Sequence, residues 1–174
     1  MKKWGRRGQF YLLMAIIIVA IIGGFIIVSN YSQNNNDVKI YYLGEELGIE
    51  SENVIDYGTN NNEDLETLLE NFTKTYSTYA DTENLYFIFG NEAKITVAGY
   101  QALSSGNILI DAGSGNETLV LNEGIYGSKD FIFPQENIKV IVDGIQYDFS
   151  LKSGENFYFI ISKEVESEKY VVTN

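Results

Sequence analysis

Carboxylates are the abundant reactive groups in this chain of 174 residues, which holds 24 Asp and Glu, 12 Lys and Arg, and neither His nor Cys. Without His, the Ser-His-Asp and Cys-His mechanisms, the usual zinc sites and the ordinary neutral-pH general base are excluded. Without Cys there is no thiol nucleophile, no disulfide and no acylated lipoprotein cysteine, and the redox compartment cannot be read. What remains is the chemistry of carboxylates, Lys, Ser and Tyr. The acids cluster at Glu45, Glu46, Glu50 and Glu52, from Glu63 to Glu70, and at Glu164, Glu166 and Glu168. Such clusters can chelate divalent ions weakly, or two carboxylates can converge for acid/base work, but a solvated face is the expectation and no pair is singled out. The run from Asp111 to Glu117 places glycines where a calcium loop needs oxygen ligands, so a hairpin connection is expected there. Those glycines fit neither a phosphate loop nor a G-x-S-x-G elbow, and Ser/Lys pairings are equally unspecific. No catalytic residue, cofactor or metal ligand is therefore assigned, and a non-enzymatic protein is expected.

Charge is divided unevenly along the chain. Lys2, Lys3, Arg6 and Arg7 are the only charges before Asp37, so the remainder carries eight Lys and all 24 acids, a net charge of −16. That surface repels nucleic acid and anionic headgroups, and soluble cations or a basic partner suit it better. Twelve of the 13 Tyr lie beyond the apolar start, a composition suited to a contact surface, because Tyr buries area while keeping a hydroxyl. An unknown protein partner is expected on these grounds.

The 19 residues from Phe10 to Val28 carry no charge. As a helix they would cover about 28 Å, one hydrocarbon core, so the expectation is a single membrane span. The basic flank keeps Met1 to Gly8 cytoplasmic and places the rest outside, with Trp4, Tyr11 and Tyr31 as interfacial anchors. The run ends in IIVSNYSQNNN without the small-residue pattern of an ordinary cleaved signal. Three N-x-S/T sequons, at Asn30, Asn71 and Asn116, all lie on the exported side as candidate glycosylation sites. Ala20 and Gly24 share a helix face with the spacing that permits close contact in lipid, which opens a route to self-association.

The opening RRGQF resembles the class III signal peptides of archaeal type IV pilin-like proteins, a likeness confined to about the first 30 residues. It implies cleavage between Gly8 and Gln9, an archaeal envelope, and a mature helix that serves as membrane anchor or filament core. Leu13 stands where many members of that family carry a glutamate. The leading expectation is thus a membrane-anchored binding, scaffolding or envelope domain, and the alternative is a pilin-like filament subunit.

The elements follow from periodicity. Residues 1–8 form a basic segment, 9–29 the membrane helix, 30–36 a polar tether and 37–174 the folded domain. Val38 to Ile49 is expected as a short helix with Val38, Tyr41, Tyr42 and Ile49 partly buried. Leu65, Leu68, Leu69, Phe72, Tyr76 and Tyr79 recur at helical spacing and predict an amphipathic helix of about 17 residues capped by Asn62. Beyond it the period changes to two. Strands are expected at Leu85 to Phe89, Ala93 to Val97, Asn107 to Ile110, Thr118 to Leu121, Asn137 to Val142, Ile145 to Leu151, Asn156 to Ser162 and Lys169 to Val172. Leu85 to Phe89 and Phe157 to Ile161, apolar on both faces, should be central. Tyr147, Phe149 and Leu151 should point inward against Asp148 and Ser150, and Asp143-Gly144 should make a type I′ hairpin turn. The resulting fold class is α+β: an N-terminal transmembrane helix, then an antiparallel β-sheet domain covered by one amphipathic helix.

Overall fold

The computed structural model describes residues 39–80, 83–113, 115–132, 134–165 and 168–174. The chain divides at Lys39 and Ile40 into two units, and the second is the folded domain. Gly8, Gln9, Asn30 and the apolar run from Phe10 to Val28 lie outside the described residues. No helix among the described residues is long and apolar enough to cross a membrane.

Among the described residues, two helices precede nine strands. Helix α1 runs through residues 39–61 and α2 through Leu65–Tyr79. The strands are β1 Asn84–Gly90, β2 Lys94–Tyr100, β3 Gly106–Asp111, β4 Asn116–Leu121, β5 Gly127–Ile132, β6 Asn137–Val142, β7 Ile145–Ser150, β8 Asn156–Val165 and β9 Glu168–Thr173. They pair antiparallel in two sheets, one of order β5-β2-β1-β8-β9 and one of order β4-β3-β6-β7.

This corrects the expected fold class. In place of one sheet under one amphipathic helix, the domain is mostly β, with two sheets and two helices. The physical reason lies in β1 and β8. Leu85 through Phe89 are all buried, as are Phe157 and the residues from Phe159 to Ser162, so both faces of these strands need cover. A helix covers one face and something else must cover the other. Leu85, Phe87, Phe89, Phe157, Phe159 and Ile161 pack with Ile40, Leu43, Leu47, Leu69 and Tyr76 of the helices. On the opposite face Tyr86, Ile88, Ile95, Val97 and Ile160 pack with Ile108, Ile110, Leu119, Leu121, Val140 and Phe149, drawn mainly from the four-stranded sheet. The layers are therefore helices, five-stranded sheet, four-stranded sheet.

Local chemistry explains the element ends. The side chain of Asp64, not Asn62, caps α2 by accepting from the Thr67 N–H and hydroxyl, while Asn62 sits in the left-handed region at φ 53°. Helix α1 extends well past Ile49, its buried Ile40, Leu43, Leu47 and Ser51 recurring on one face. Tyr41, Tyr42 and Ile49, expected to be partly buried, are exposed instead, and Val38 lies outside the described residues. Asp143 and Gly144 adopt φ 50° and 79°, the left-handed pair that a type I′ turn requires, and they join β6 to β7 in the expected register. Phe149 is buried with Tyr147 and Leu151 packed beside it, and Asp148 and Ser150 face water. Strand β5 was not among the expected strands: GSKDFI buries only Phe131 and forms a sheet edge.

Candidate functional site

The first concave feature is built by the helices. Positions 46, 50, 53 and 57 recur at helical spacing along α1, and 68, 72, 75, 76 and 79 do the same along α2. With the core residue Tyr76 and the half-buried Phe72 at its base, they line a groove between the two helices. Two hollows between the helices adjoin through Phe72 and Thr75. One of about 250 Å³ is lined by Glu46, Glu50, Phe72, Thr75, Tyr76 and Tyr79. The next, of about 410 Å³, continues past Asn53, Val54, Tyr57, Leu68 and Asn71. Beyond Glu46 and Glu50 the surface opens toward Tyr42, Glu45 and Ile49.

The floor is aromatic and held rigidly. Tyr76 packs its ring between those of Phe72, with centroids 5.8 Å apart, and Tyr79, 5.6 Å apart. Phe72 in turn meets Phe157 of the sheet at 6.0 Å. The Tyr76 hydroxyl donates to the Leu43 carbonyl at 2.9 Å and so pins α2 to α1. Burial raises the Tyr76 pKa well above the ordinary phenol value, and the negative charges of Glu46 and Glu50 raise it further. Both carboxylates line the same hollow as this ring. From Ile40 to Asn61, α1 carries Glu45, Glu46, Glu50, Glu52 and Asp56 and no basic residue, and among the described residues no Lys or Arg lines the groove.

Neighbouring bonds fix the helix layer to the sheet. Lys94 of β2 pairs with Glu66 of α2 and, at 2.9 Å, with Asp130 of β5. Burial pushes Asp130 up, but its bonds to Lys94 and Thr96 outweigh this and hold it below the usual carboxylate value. Thr73 of α2 is fully buried, donates to the Leu69 carbonyl, and lies 2.8 Å from the Tyr126 hydroxyl, whose pKa burial raises to about 12. Between the sheets, Gln101 donates to the wholly buried Tyr86 hydroxyl at 3.1 Å, and burial lifts that phenol to about 12 as well.

A further hollow of about 240 Å³ lies on the outer side of the four-stranded sheet, lined by Leu109, Asp111, Asn116, Lys139, Ile141 and Gln146. Here Asp111 pairs across strands with Lys139 and Asn116, so opposite charges adjoin.

The two described sequons fall on opposite layers. Asn71 is exposed on α2 in the groove wall, but Thr73, the third residue of its sequon, is buried in the helix layer. Asn116 and Thr118 both face solvent on β4. Of the acid clusters, Glu45, Glu46, Glu50 and Glu52 join Glu66 and Glu70 in the helix layer, while Glu164 stands on β8. The Asp111 to Glu117 run makes the expected hairpin, with Asp111 opposite Asn116. Sequence reasoning did not single out Tyr42, Glu46, Glu50, Phe72, Tyr76 and Tyr79 as a site. The signal was a second, outward stripe on α1, visible only if the helix is continued through Tyr57. Compared with family models, curated proteins and solved structures, the chain matches none.

Proposed function

We propose that this protein is a non-catalytic binding or scaffolding module, held at the outer surface of a membrane by the apolar run from Phe10 to Val28, which presents the α1–α2 groove to a protein partner. The carrying observation is the groove itself: an open channel with an aromatic floor, flanked by Tyr57 and Tyr79, each more than half exposed. Exposed Tyr on a rigid helix pair offers large contact area at little conformational cost, which favours recognition of another macromolecule. The chargeless run and its basic flank support the anchor and its orientation. Alkaline carbonate extraction of native membranes tests the anchor: the chain should stay in the pellet, and its release into the supernatant would refute that reading.

The RRGQF opening favours a second reading, a filament subunit cleaved between Gly8 and Gln9. Mass spectrometry finding Gln9 as the first residue, together with helical filaments in micrographs, would favour the subunit, and an intact Met1 on monomers in detergent would remove it.

A further inference from the structure

We propose that the α1–α2 groove accepts the lysine or arginine side chains of a basic polypeptide segment, seated between the Glu46 and Glu50 carboxylates and the Phe72, Tyr76 and Tyr79 rings. The inference deepens the binding reading above by naming the partner's chemistry. Glu46 and Glu50 stand one helical turn apart on α1, so both carboxylates reach the same hollow. Opposite them three rings recur on α2 with neighbouring centroids 5.8 and 5.6 Å apart. A cation entering there meets negative charge on one wall and aromatic rings on the other, and both can attract it. Tyr79, at 65% exposed, is free to cover an incoming side chain, while Tyr76 is fixed by its bond to Leu43.

Length and composition favour a polypeptide over a small cation. From Glu46 to Tyr57 the groove follows α1 for about 17 Å. The acids lie at one end and Val54, Tyr57 and Leu68 at the other, so the matching segment carries basic residues at one end and apolar ones at the other. The excess of acid along α1 steers such a segment and disfavours a second copy of this chain, whose groove bears the same charge.

The test is isothermal titration of the full chain, in nanodiscs of phosphatidylcholine, with the peptide acetyl-Arg-Gly-Arg-Leu-Leu-amide, and with a counterpart carrying Glu in place of both Arg. Empty nanodiscs supply the blank. The arginine peptide should bind and the glutamate peptide should not. The double variant Glu46→Gln, Glu50→Gln should weaken binding about tenfold or more, and Tyr79→Ala about fivefold at unchanged charge. Glu123→Gln with Glu136→Gln removes the same charge from exposed positions outside the groove and should change affinity less than about twofold. Equal weakening by both double variants would overturn the proposal in favour of a diffuse field. So would equal binding of both peptides, no binding of either, or a groove-dependent dimer in sedimentation without peptide. Carbonate extraction reads the anchor alone, so failure of the groove and failure of the anchor are distinguished.

Discussion

Truncating Phe157 to Ala strikes the seam between the helix layer and the five-stranded sheet. Phe157 is 8% exposed on β8, and its ring meets Phe72 of α2 at 6.0 Å and Phe87 and Phe89 of β1 at 6.1 and 6.4 Å. Loss of a buried Phe ring costs about 3–5 kcal/mol, depending on how far the site collapses. Here one neighbour, α2, can settle toward the sheet, which places the expected cost near the lower end, about 3 kcal/mol. That is a large share of a total stability of about 5–15 kcal/mol. With a urea slope of about 2 kcal/mol per molar, the unfolding midpoint should fall by about 1.5 M. Phe157→Leu keeps most of the volume and should cost less than about 1.5 kcal/mol. Equilibrium urea unfolding followed by far-ultraviolet circular dichroism measures both. Native-state hydrogen exchange adds direction: amides of α2 should lose protection before those of β3 and β6, which share no ring with Phe157. A midpoint shift of the alanine variant below about 0.3 M, or earlier loss of protection in β6, would refute the layer order on which the groove depends.

The remaining expectations concern buried charge, sheet spacing and alkaline pH. Glu83 is 1% exposed and paired with Lys163 at 2.9 Å, so Lys163→Met, which strips a partner from a buried carboxylate, should destabilise by about 3 kcal/mol in the same urea assay. A Cβ at Gly99 would stand 2.6 Å from Leu121 Cδ1 and 3.0 Å from Ile108 Cδ1, across the seam between the sheets, and Gly99→Ala should cost about 1–3 kcal/mol and lower the melting temperature. Tyr86 and Tyr126 have pKa values raised by burial from 10.0 to about 12. A raised phenol pKa means that the fold favours the neutral form, so this contribution is fully present below pH 10 and is lost as pH rises from 10 through about 12. Near-ultraviolet phenolate absorbance should show these two ionising late and together with unfolding, and Tyr126→Phe should reduce the alkaline loss of stability.

Much of the strand pattern was legible because burial leaves a direct imprint on residue type. Tyr147, Phe149 and Leu151 alternate with polar neighbours because β7 buries one face only, and Leu85 to Phe89 run unbroken because β1 buries both. The same contrast implied a second sheet, since one helix cannot cover both sides of β1, but periodicity says nothing of which strands pair. The order β5-β2-β1-β8-β9 joins strands far apart in the chain. Strand β5 escaped because an edge strand needs few apolar residues, and Ser128, Lys129 and Asp130 hide Phe131 among polar neighbours. The full reach of α1 escaped because Gly48, Ser51, Asn53 and Gly58 are weak helix formers in a helix that Ile40, Leu43 and Leu47 anchor on the sheet. The groove was illegible for that same reason: Glu46, Glu50 and Tyr57 share a wall only once α1 is known to continue beyond Ile49.

Placement outside the cell is the central claim of the anchored reading, and a sequence without Cys makes it measurable. A single Ser153→Cys substitution, at an exposed position between β7 and β8, supplies one thiol in the folded domain. Treatment of intact cells with a membrane-impermeant maleimide should label this variant as fully as treatment after lysis. Labelling that appears only once the cells are broken would contradict an outward-facing domain.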